Sequence, residues 1–361
     1  MSKKVLVAGA SGVVGTAAVE AFLAQGCEVV ALSRRRPEIA RREAFTHLAL
    51  DLRDAAASRD ALGALSGVTH VVYAALFEKP GLIAGWTDPE QMQTNLAMLQ
   101  NCLAPLAGAG KRLRHVSLLQ GTKAYGIHLH PMPIPARERA PRDAHANFYW
   151  LQEDYLKQLA SERFDFTILR PQLIIGAAYG AAMNLAPVIG AYAAICRELG
   201  EPFGFPGGIS YVWEAVDARL LANVFVWATE TAAARGQHFN VTNGDVFEWR
   251  NVWPAMAATL GVPAAADRPL EMKRFLPEHA AVWDRIVAKH GLRKVTMPEL
   301  LGESHHYTDF CFAHGATAPP PPAFVSAIKL RQAGFHEVCD SEDMFCHWLG
   351  DFMARGILPP A

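Results

Sequence analysis

The chain has 361 residues, of which 51% are hydrophobic and 19% are charged, so it can bury a sizeable core. Its length predicts two domains, or one large α/β unit with an appended lobe. Basic and acidic residues nearly balance, at 34 and 35, and no basic stripe is present. This composition argues against nucleic acid and anionic membranes as partners.

The cysteines and the apolar segments predict a cytoplasmic protein. The six cysteines are scattered and form no C-x-x-C pair, and the first apolar run breaks at Gly9, too early for a secretory signal. Residues 176–196 carry no charge and could span a bilayer, but they are rich in Gly and Ala. We therefore predict a buried helix there, or an interface helix that would suit a homodimer.

A short apolar strand predicted at residues 5–8 runs into three glycines at three-residue spacing and then into a helix predicted at 16–24. Such a turn presents bare N–H groups and a helix N-terminus, which suit a pyrophosphate. A flexible loop is the alternative interpretation. The predicted dinucleotide contacts are Gly9, Ser11, Gly12, Val13, Val14 and Gly15.

The end of the second predicted strand, residues 27–32, indicates which dinucleotide binds. An acidic residue there would bind the ribose hydroxyls of NAD, whereas this chain has Ser33, Arg34 and Arg35. Arginines suit a 2′-phosphate, so we predict NADP(H), with a solvated basic turn as the alternative. The third strand, predicted at 47–52, should end beside the adenine, which makes Asp51 and Leu52 candidate contacts.

Strands and helices continue to alternate along the chain, which predicts an α/β fold: a Rossmann-type doubly wound parallel sheet with a smaller, mainly helical C-terminal substrate lobe. Further strands are predicted at 68–75, 114–119, 164–171 and 238–241, and further helices at 90–106, 147–156 and 211–230. We assign residues 1–175 and about 211–249 to the NADP-binding domain, and 176–210 and 250–361 to the substrate lobe. Four prolines at 319–322 indicate a rigid loop.

The loop at 127–146 contains three histidines, of which two at close spacing could be imagined as metal ligands. His128, His130 and His145 have no acidic or cysteine partner arranged with them in the sequence. Solvated loop histidines are the simpler interpretation, and we predict no metal site.

The motif Tyr-x-x-x-Lys, which short-chain dehydrogenases use to lower the pKa of a catalytic tyrosine, is absent. None of the eight tyrosines has a lysine four residues further on. Either the chain is not catalytic, or the lysine comes from elsewhere in the sequence.

Several separated blocks of the sequence point to a known family. They are Gly-Thr-Lys-Ala-Tyr at 121–125, Asn-Phe-Tyr at 147–149 followed by Glu153-Asp154, Arg34-Arg35, 183–185, 192–196 and 239–249. Together they resemble the progesterone 5β-reductase/iridoid synthase family, a group of extended short-chain dehydrogenases/reductases. The resemblance covers nearly the whole chain. It implies that the tyrosine stays on its helix while the lysine moves to the loop after the fifth strand, so that Tyr149 and Lys123 form the catalytic pair and also contact the cofactor.

The resemblance further implies reduction of a C=C bond conjugated to a carbonyl. Hydride from NADPH would add to the β-carbon, Tyr149 would hydrogen-bond the enolate oxygen, and Lys123 would orient Tyr149 and contact the nicotinamide ribose. The substrate would be a small apolar enone, although segment 77–86 departs from the family pattern. Candidate pocket residues, each of which also suits an ordinary core, are Phe148, Trp150, Met183, Trp86 and Tyr125.

Two other functions remain open from the sequence. One is an epimerase, dehydratase or carbonyl reductase of the extended short-chain family, which the missing Tyr-x-x-x-Lys disfavours. The other is a non-catalytic NADP-sensing protein, which would bind the cofactor without turnover.

Overall fold

The computed structural model describes residues 3–39, 45–108, 110–161 and 163–361. The strands are β1 Lys4–Ala8, β2 Glu28–Ser33, β3 Phe45–Ala49, β4 His70–Tyr73, β5 His115–Leu119, β6 Asp165–Pro171, β7 Leu173–Ile175, β8 Phe203–Gly204, β9 Val212–Trp213, β10 Ala215–Asp217, β11 Gln237–Val241, β12 Phe247–Glu248 and β13 Ala264–Ala265.

Helices follow most of these strands. They are α1 Val13–Ala24, α2 Ala55–Ala64, α3 Pro89–Leu103, α4 Phe148–Ala160, α5 Leu185–Leu199, α6 Ala218–Glu230, α7 Trp249–Thr259, α8 Met272–Glu278, α9 Ala280–His290, α10 Met297–Leu301, α11 Ser304–Cys311, α12 Ile328–Gln332 and α13 Ser341–Ala354.

The main sheet has seven parallel strands in the order β11-β6-β5-β4-β1-β2-β3. Strand β1 pairs with β2 on one side and with β4 on the other, so the direction of winding reverses between β1 and β4. In open parallel sheets, ligands bind in the crevice at such a reversal, outside the carboxyl ends of the strands. The predicted doubly wound Rossmann-type fold with a helical C-terminal region is confirmed.

The sheet is buried on both faces, which is why its strands are nearly continuous apolar runs. Val5 and Val7 of β1 pack on the α1 and α6 side, against Phe22 and Phe225. Successive side chains of a strand point to opposite faces, so Leu6 packs on the other side, in the core that α2, α3 and α4 contribute to.

A separate apolar cluster surrounds α5 in the C-terminal region. Every residue of α5 from Leu185 to Cys196 is buried within the chain, where the helix packs with α9, α11 and α13. The part of the uncharged segment from Leu185 to Cys196 is therefore an internal helix, and this helix does not offer a dimer surface. A homodimer formed through another surface stays a prediction.

Several predicted boundaries were wrong. The helix predicted at 211–230 begins at Ala218, because β9 and β10 precede it and the Asp217 side chain caps it by accepting from Arg219 N. The third strand ends at Ala49, before Asp51 and Leu52. In the uncharged segment, α5 begins only at Leu185, and the residues before it form a loop.

In the described part of the chain, no helix is long and apolar enough to cross a membrane. All six cysteines are free thiols.

Candidate active site

A cavity of about 1020 Å³ lies along the carboxyl ends of the central strands. The glycine turn after β1 lines one part of it. Lys123 and Tyr149 line another part, together with residues of the C-terminal region. This volume is large enough for a dinucleotide together with a small substrate.

The turn between β1 and α1 requires glycine at Gly9 and Gly15 and leaves little space at Gly12. Gly9 has φ +83°, and a Cβ there would lie 2.7 Å from backbone atoms of Ala74. A Cβ at Gly12 would lie 3.2 Å from the Gly9 carbonyl oxygen, and one at Gly15 would collide with it. Gly15 therefore packs the helix against the strand, whereas the other predicted turn contacts, Gly9, Ser11, Gly12, Val13 and Val14, line the cavity.

The start of α1 leaves its N–H groups open toward the cavity. Its N-cap residue is Gly12, which supplies no side-chain hydrogen bond, and the first turn has no acidic residue. The orphan N–H groups and the helix dipole suit an anion such as a pyrophosphate.

The part of the cavity beyond β2 is rich in arginine. Ser33, Arg34 and Arg35 line it, as do Asp51 and Leu52. A residue that sequence reasoning missed, Arg53, also lines this part and binds both carboxylate oxygens of Asp51 at 2.6–3.1 Å. These hydrogen bonds lower the pKa of Asp51 to about 2, and the charge of Arg34 contributes. The negative charge of Asp51 is therefore balanced by neighbouring arginines.

The loop that carries these arginines is tied to the C-terminal region. Glu38 accepts hydrogen bonds from Arg293 at 2.6 Å, from Tyr179 at 2.9 Å and from Arg355 at 3.1 Å. The hydrogen bond from Arg293 is the largest cause that lowers the pKa of Glu38 to about 2. These contacts therefore fix the segment that follows Arg34 and Arg35 against the C-terminal region.

Lys123 and Tyr149 come from separate elements, and one side chain, Asn147, joins them. Lys123 lies in the 3-10 turn Thr122–Tyr125 after β5, whereas Tyr149 lies in the first turn of α4. Asn147 caps α4 by accepting from Tyr149 N at 3.0 Å, and it donates to the Lys123 carbonyl oxygen at 3.1 Å. Gln120 also donates to the Tyr149 carbonyl oxygen at 3.1 Å, which fixes the helix start against β5.

The Tyr149 side chain is 8% exposed, and its hydroxyl lies over Gly121. A Cβ at Gly121 would be 3.1 Å from that hydroxyl oxygen, so glycine leaves room for it. Burial raises the pKa of Tyr149 well above its ordinary value, and the charge of Glu78 adds to this, while Arg170 opposes it. The phenol is therefore protonated at neutral pH and can donate a hydrogen bond.

The Lys123 ammonium lies between an aromatic ring and a carboxylate. Its Nζ is 4.1 Å from the centroid of the Trp86 ring and 3.7 Å from Glu78 Oε1. Burial lowers the pKa of Lys123, and the charge of Glu78 opposes this effect. Sequence reasoning missed Glu78, which also lines the cavity and lies in the poorly matching segment after β4.

Two of the five predicted substrate-pocket residues line the cavity, Trp86 and Met183. The other three do not, and this corrects the prediction. Phe148 and Trp150 pack in a buried cluster that also holds Tyr149. Tyr125 packs in another cluster, and its hydroxyl donates to Asn240 Oδ1 at 2.6 Å.

The wall of this cavity also includes aromatic and proline residues of distant segments, which sequence reasoning missed. They are Tyr211, Trp213, Tyr307, Phe310, Pro320 and Pro321. Two prolines of the predicted rigid loop thus line the cavity. These side chains suit an apolar ligand, while Glu303, Asp309 and His314 of the same segments add polar groups to the lining.

The loop histidines contact one another and an aspartate. His145 Nδ1 lies 2.7 Å and His130 Nε2 lies 3.1 Å from the same oxygen of Asp143, and His128 packs edge-on against the His145 ring. Over the described residues, no group of three or more His, Cys, Asp or Glu side chains is placed to hold a metal ion.

A family model described as the NAD dependent epimerase/dehydratase family matches residues 5–242, which include the glycine turn and both Lys123 and Tyr149. The chain belongs to this family. Its fold resembles that of UDP-glucose 4-epimerase from Bifidobacterium longum in complex with NAD+ and UDP, with a TM-score of 0.66, 15% identity and 98% of each chain covered.

Curated relatives match almost the whole chain. A 3-oxo-Delta(4,5)-steroid 5-beta-reductase of Arabidopsis thaliana is 28% identical over 377 residues, covering 98% of this chain and 92% of the relative. The (S)-8-oxocitronellyl enol synthase ISY1 of Nepeta racemosa is 27% identical over 376 residues, with the same two coverages. The resemblance to the 5β-reductase/iridoid synthase group is therefore confirmed, and the protein is an oxidoreductase of the short-chain type.

Proposed function

We propose that this protein uses NADPH to reduce the C=C bond of α,β-unsaturated carbonyl compounds. The observation that carries the proposal is the position of Lys123 and Tyr149, from separate elements, in the same cavity as the glycine turn. The names of the reductase and enol synthase relatives support it. The aromatic wall supports a small apolar enone as the substrate.

When bound, NADPH supplies the hydride. Tyr149 contributes a protonated hydroxyl that donates a hydrogen bond to the carbonyl oxygen, on which negative charge accumulates as the β-carbon is reduced. Lys123 contributes a positive charge beside that oxygen and a donor for the nicotinamide ribose. The surrounding aromatic side chains exclude water and so strengthen both interactions.

The arginines beyond β2 support NADPH over NADH. Replacing Arg34 and Arg35 together by Ala is expected to weaken NADPH binding by at least about 10-fold to 100-fold, because losing even one charge-assisted hydrogen bond to the 2′-phosphate costs roughly 1.5–3 kcal/mol. NADH binding should change little, since NADH has no 2′-phosphate. Fluorescence titration of both cofactors measures the difference.

The matched control is Arg36→Ala on the same turn, where the guanidinium lies 4.6 Å from the Phe45 ring centroid and does not line the cavity. It should leave both affinities within about 2-fold, as for surface substitutions in general. Equal losses of NADPH and NADH in the double variant would contradict the 2′-phosphate contact.

The activity itself is tested by following NADPH absorbance with small enones such as 2-cyclohexen-1-one, and with progesterone. We expect NADPH consumption with at least one small enone. Binding of NADP without turnover of any enone would reject the reductase and favour an NADP-sensing protein. Turnover of a nucleotide sugar without net NADPH consumption would favour an epimerase.

A further inference from the structure

Glu78 is a buried carboxylate at the catalytic pair, in the loop that follows β4. Its side chain is 4% exposed. Glu78 Oε2 accepts a hydrogen bond from Gln91 Nε2 at 2.6 Å. Glu78 Oε1 lies 3.7 Å from Lys123 Nζ, a distance that makes an ion pair but not a hydrogen bond, and in the described part of the chain no donor bonds to this oxygen.

The neighbouring residues hold Glu78 in this position. Gln91 Oε1 accepts from Lys79 N at 2.8 Å, and Gln91 N donates to Asp88 Oδ1 at 2.9 Å, so the amide that binds Glu78 is itself fixed. A Cβ at Gly85 would collide with Gln91 Oε1, which shows how closely this turn packs around the amide. The position of the Glu78 carboxylate is thus fixed by the hydrogen bonds of Gln91.

Burying a carboxylate with one oxygen unbonded costs free energy. A contribution to the stability of the fold therefore does not explain why Glu78 is buried here. A buried ion pair contributes little more than a well-packed apolar pair would. Burial raises the pKa of this carboxyl, while the charge of Lys123 and the hydrogen bond from Gln91 lower it, so the carboxylate and the ammonium each favour the charged form of the other beside the Trp86 ring. Such a pairing is useful where a lysine must stay charged although it is buried.

We propose that Glu78 is a positioning residue that keeps the Lys123 ammonium charged and holds it, against the Trp86 ring, at the Tyr149 end of the cavity. This proposal rests on the function proposed above. Without Glu78, the ammonium would be buried without a carboxylate to balance its desolvation.

The charges around the site give the direction of the effect. Burial lowers the pKa of Lys123 and Glu78 raises it, while Glu78 also raises the pKa of Tyr149. Removing the carboxylate therefore moves both pKa values downward. Among the other charged groups near the pair, Arg170 lowers the pKa of Tyr149, and the charge of Lys123 lowers the pKa of His128. The Lys79 ammonium forms ion pairs with Asp88 and Glu90.

The first test needs no turnover. The protein is labelled with ¹³C at the lysine ε-carbon, Lys123→Met assigns the resonance, and the Lys123 resonance is titrated against pH in the full-length protein. In Glu78→Gln, where the amide keeps a partner for Gln91, the midpoint should fall by about one pH unit or more. An unchanged midpoint would overturn the proposal, whether or not the enzyme reduces enones.

The second test is the pH profile of kcat with 2-cyclohexen-1-one. In Glu78→Gln the alkaline limb should move to lower pH, because Lys123 or Tyr149 loses its proton earlier, and Glu78→Asp should recover part of the shift. Glu90→Gln removes one exposed charge from the same region, and its limb should not move. A lower rate with an unmoved limb would mean that Glu78 is only structural.

The two variants also separate the possible failures. If Glu78→Gln does not fold, the comparison of Glu78→Asp with the wild type decides, since the shorter carboxylate retracts from Lys123 and should lower the midpoint by a smaller amount. If no enone is reduced while the Lys123 midpoint still shifts, the proposed function fails and the positioning of Lys123 stands.

Discussion

Tyr149→Phe is expected to lower kcat for enone reduction by about 100-fold to 1,000-fold, the usual loss when one hydrogen-bond donor to a developing oxyanion is removed. The hydroxyl lies over Gly121 in the cavity, and the phenylalanine keeps the ring in the same buried cluster. NADPH binding should therefore be nearly unchanged. Steady-state kinetics and fluorescence titration measure the two effects separately.

The control for this variant lies on the same helix. Tyr155 packs on the sheet side of α4, in the core formed with α3, and does not line the cavity. Tyr155→Phe makes the same chemical change and should leave kcat within about 2-fold, as for most changes away from the site. Undiminished turnover in Tyr149→Phe would remove the role assigned to its hydroxyl.

Gly9→Ala is expected to destabilise the fold and to abolish measurable NADPH binding. A left-handed backbone costs an alanine about 1–2 kcal/mol, and the new methyl group would press on the backbone of Ala74 at 2.7 Å, which costs about 1–3 kcal/mol more. Denaturant unfolding should show the loss of stability. Cofactor titration under native conditions should show the loss of binding.

Gly63→Ala provides the matched control, since Gly63 lies within α2 and a Cβ there would meet nothing within 4 Å. Alanine in a helix interior is favoured over glycine by about 0.5–1 kcal/mol, so this variant should be slightly more stable and bind NADPH normally. A Gly9→Ala protein with wild-type stability and affinity would show that the close approach to Ala74 is not required.

Features carried by neighbouring residues were predictable from the sequence. The turn from Gly9 to Gly15 is one continuous segment between a short apolar run and a helical segment. These sequence patterns were enough to predict that it joins the first strand to the first helix. Lys123 and Tyr149 were reached only through the family resemblance, because the link between them depends on a hydrogen bond from Asn147 to Lys123, which lies 24 positions earlier in the sequence. No local spacing rule covers such a pair.

The errors have physical causes. Phe148, Tyr149 and Trp150 are consecutive on one helix, where neighbouring side chains point about 100° apart, so they do not share one face toward the cavity. Their aromatic character alone suggested a shared pocket. Glu78 lies in irregular structure, where no periodicity reveals burial.

The part of the cavity formed by the C-terminal region could not be predicted for another reason. Tyr211, Tyr307 and Pro320 lie far apart in the sequence, yet they line the same cavity. None of the three segments carries a motif that predicts this. Only the tertiary fold brings them to the cavity that Tyr149 also lines.

The position of the transferred hydride tests the central claim most directly. NADPH carrying deuterium at the transferable position is incubated with 2-cyclohexen-1-one and the protein, and the product is examined by NMR. Reduction of the C=C bond places the deuterium on the β-carbon of cyclohexanone, which is the expected result. Deuterium on the carbinol carbon of an allylic alcohol would show carbonyl reduction instead and would contradict the proposed function.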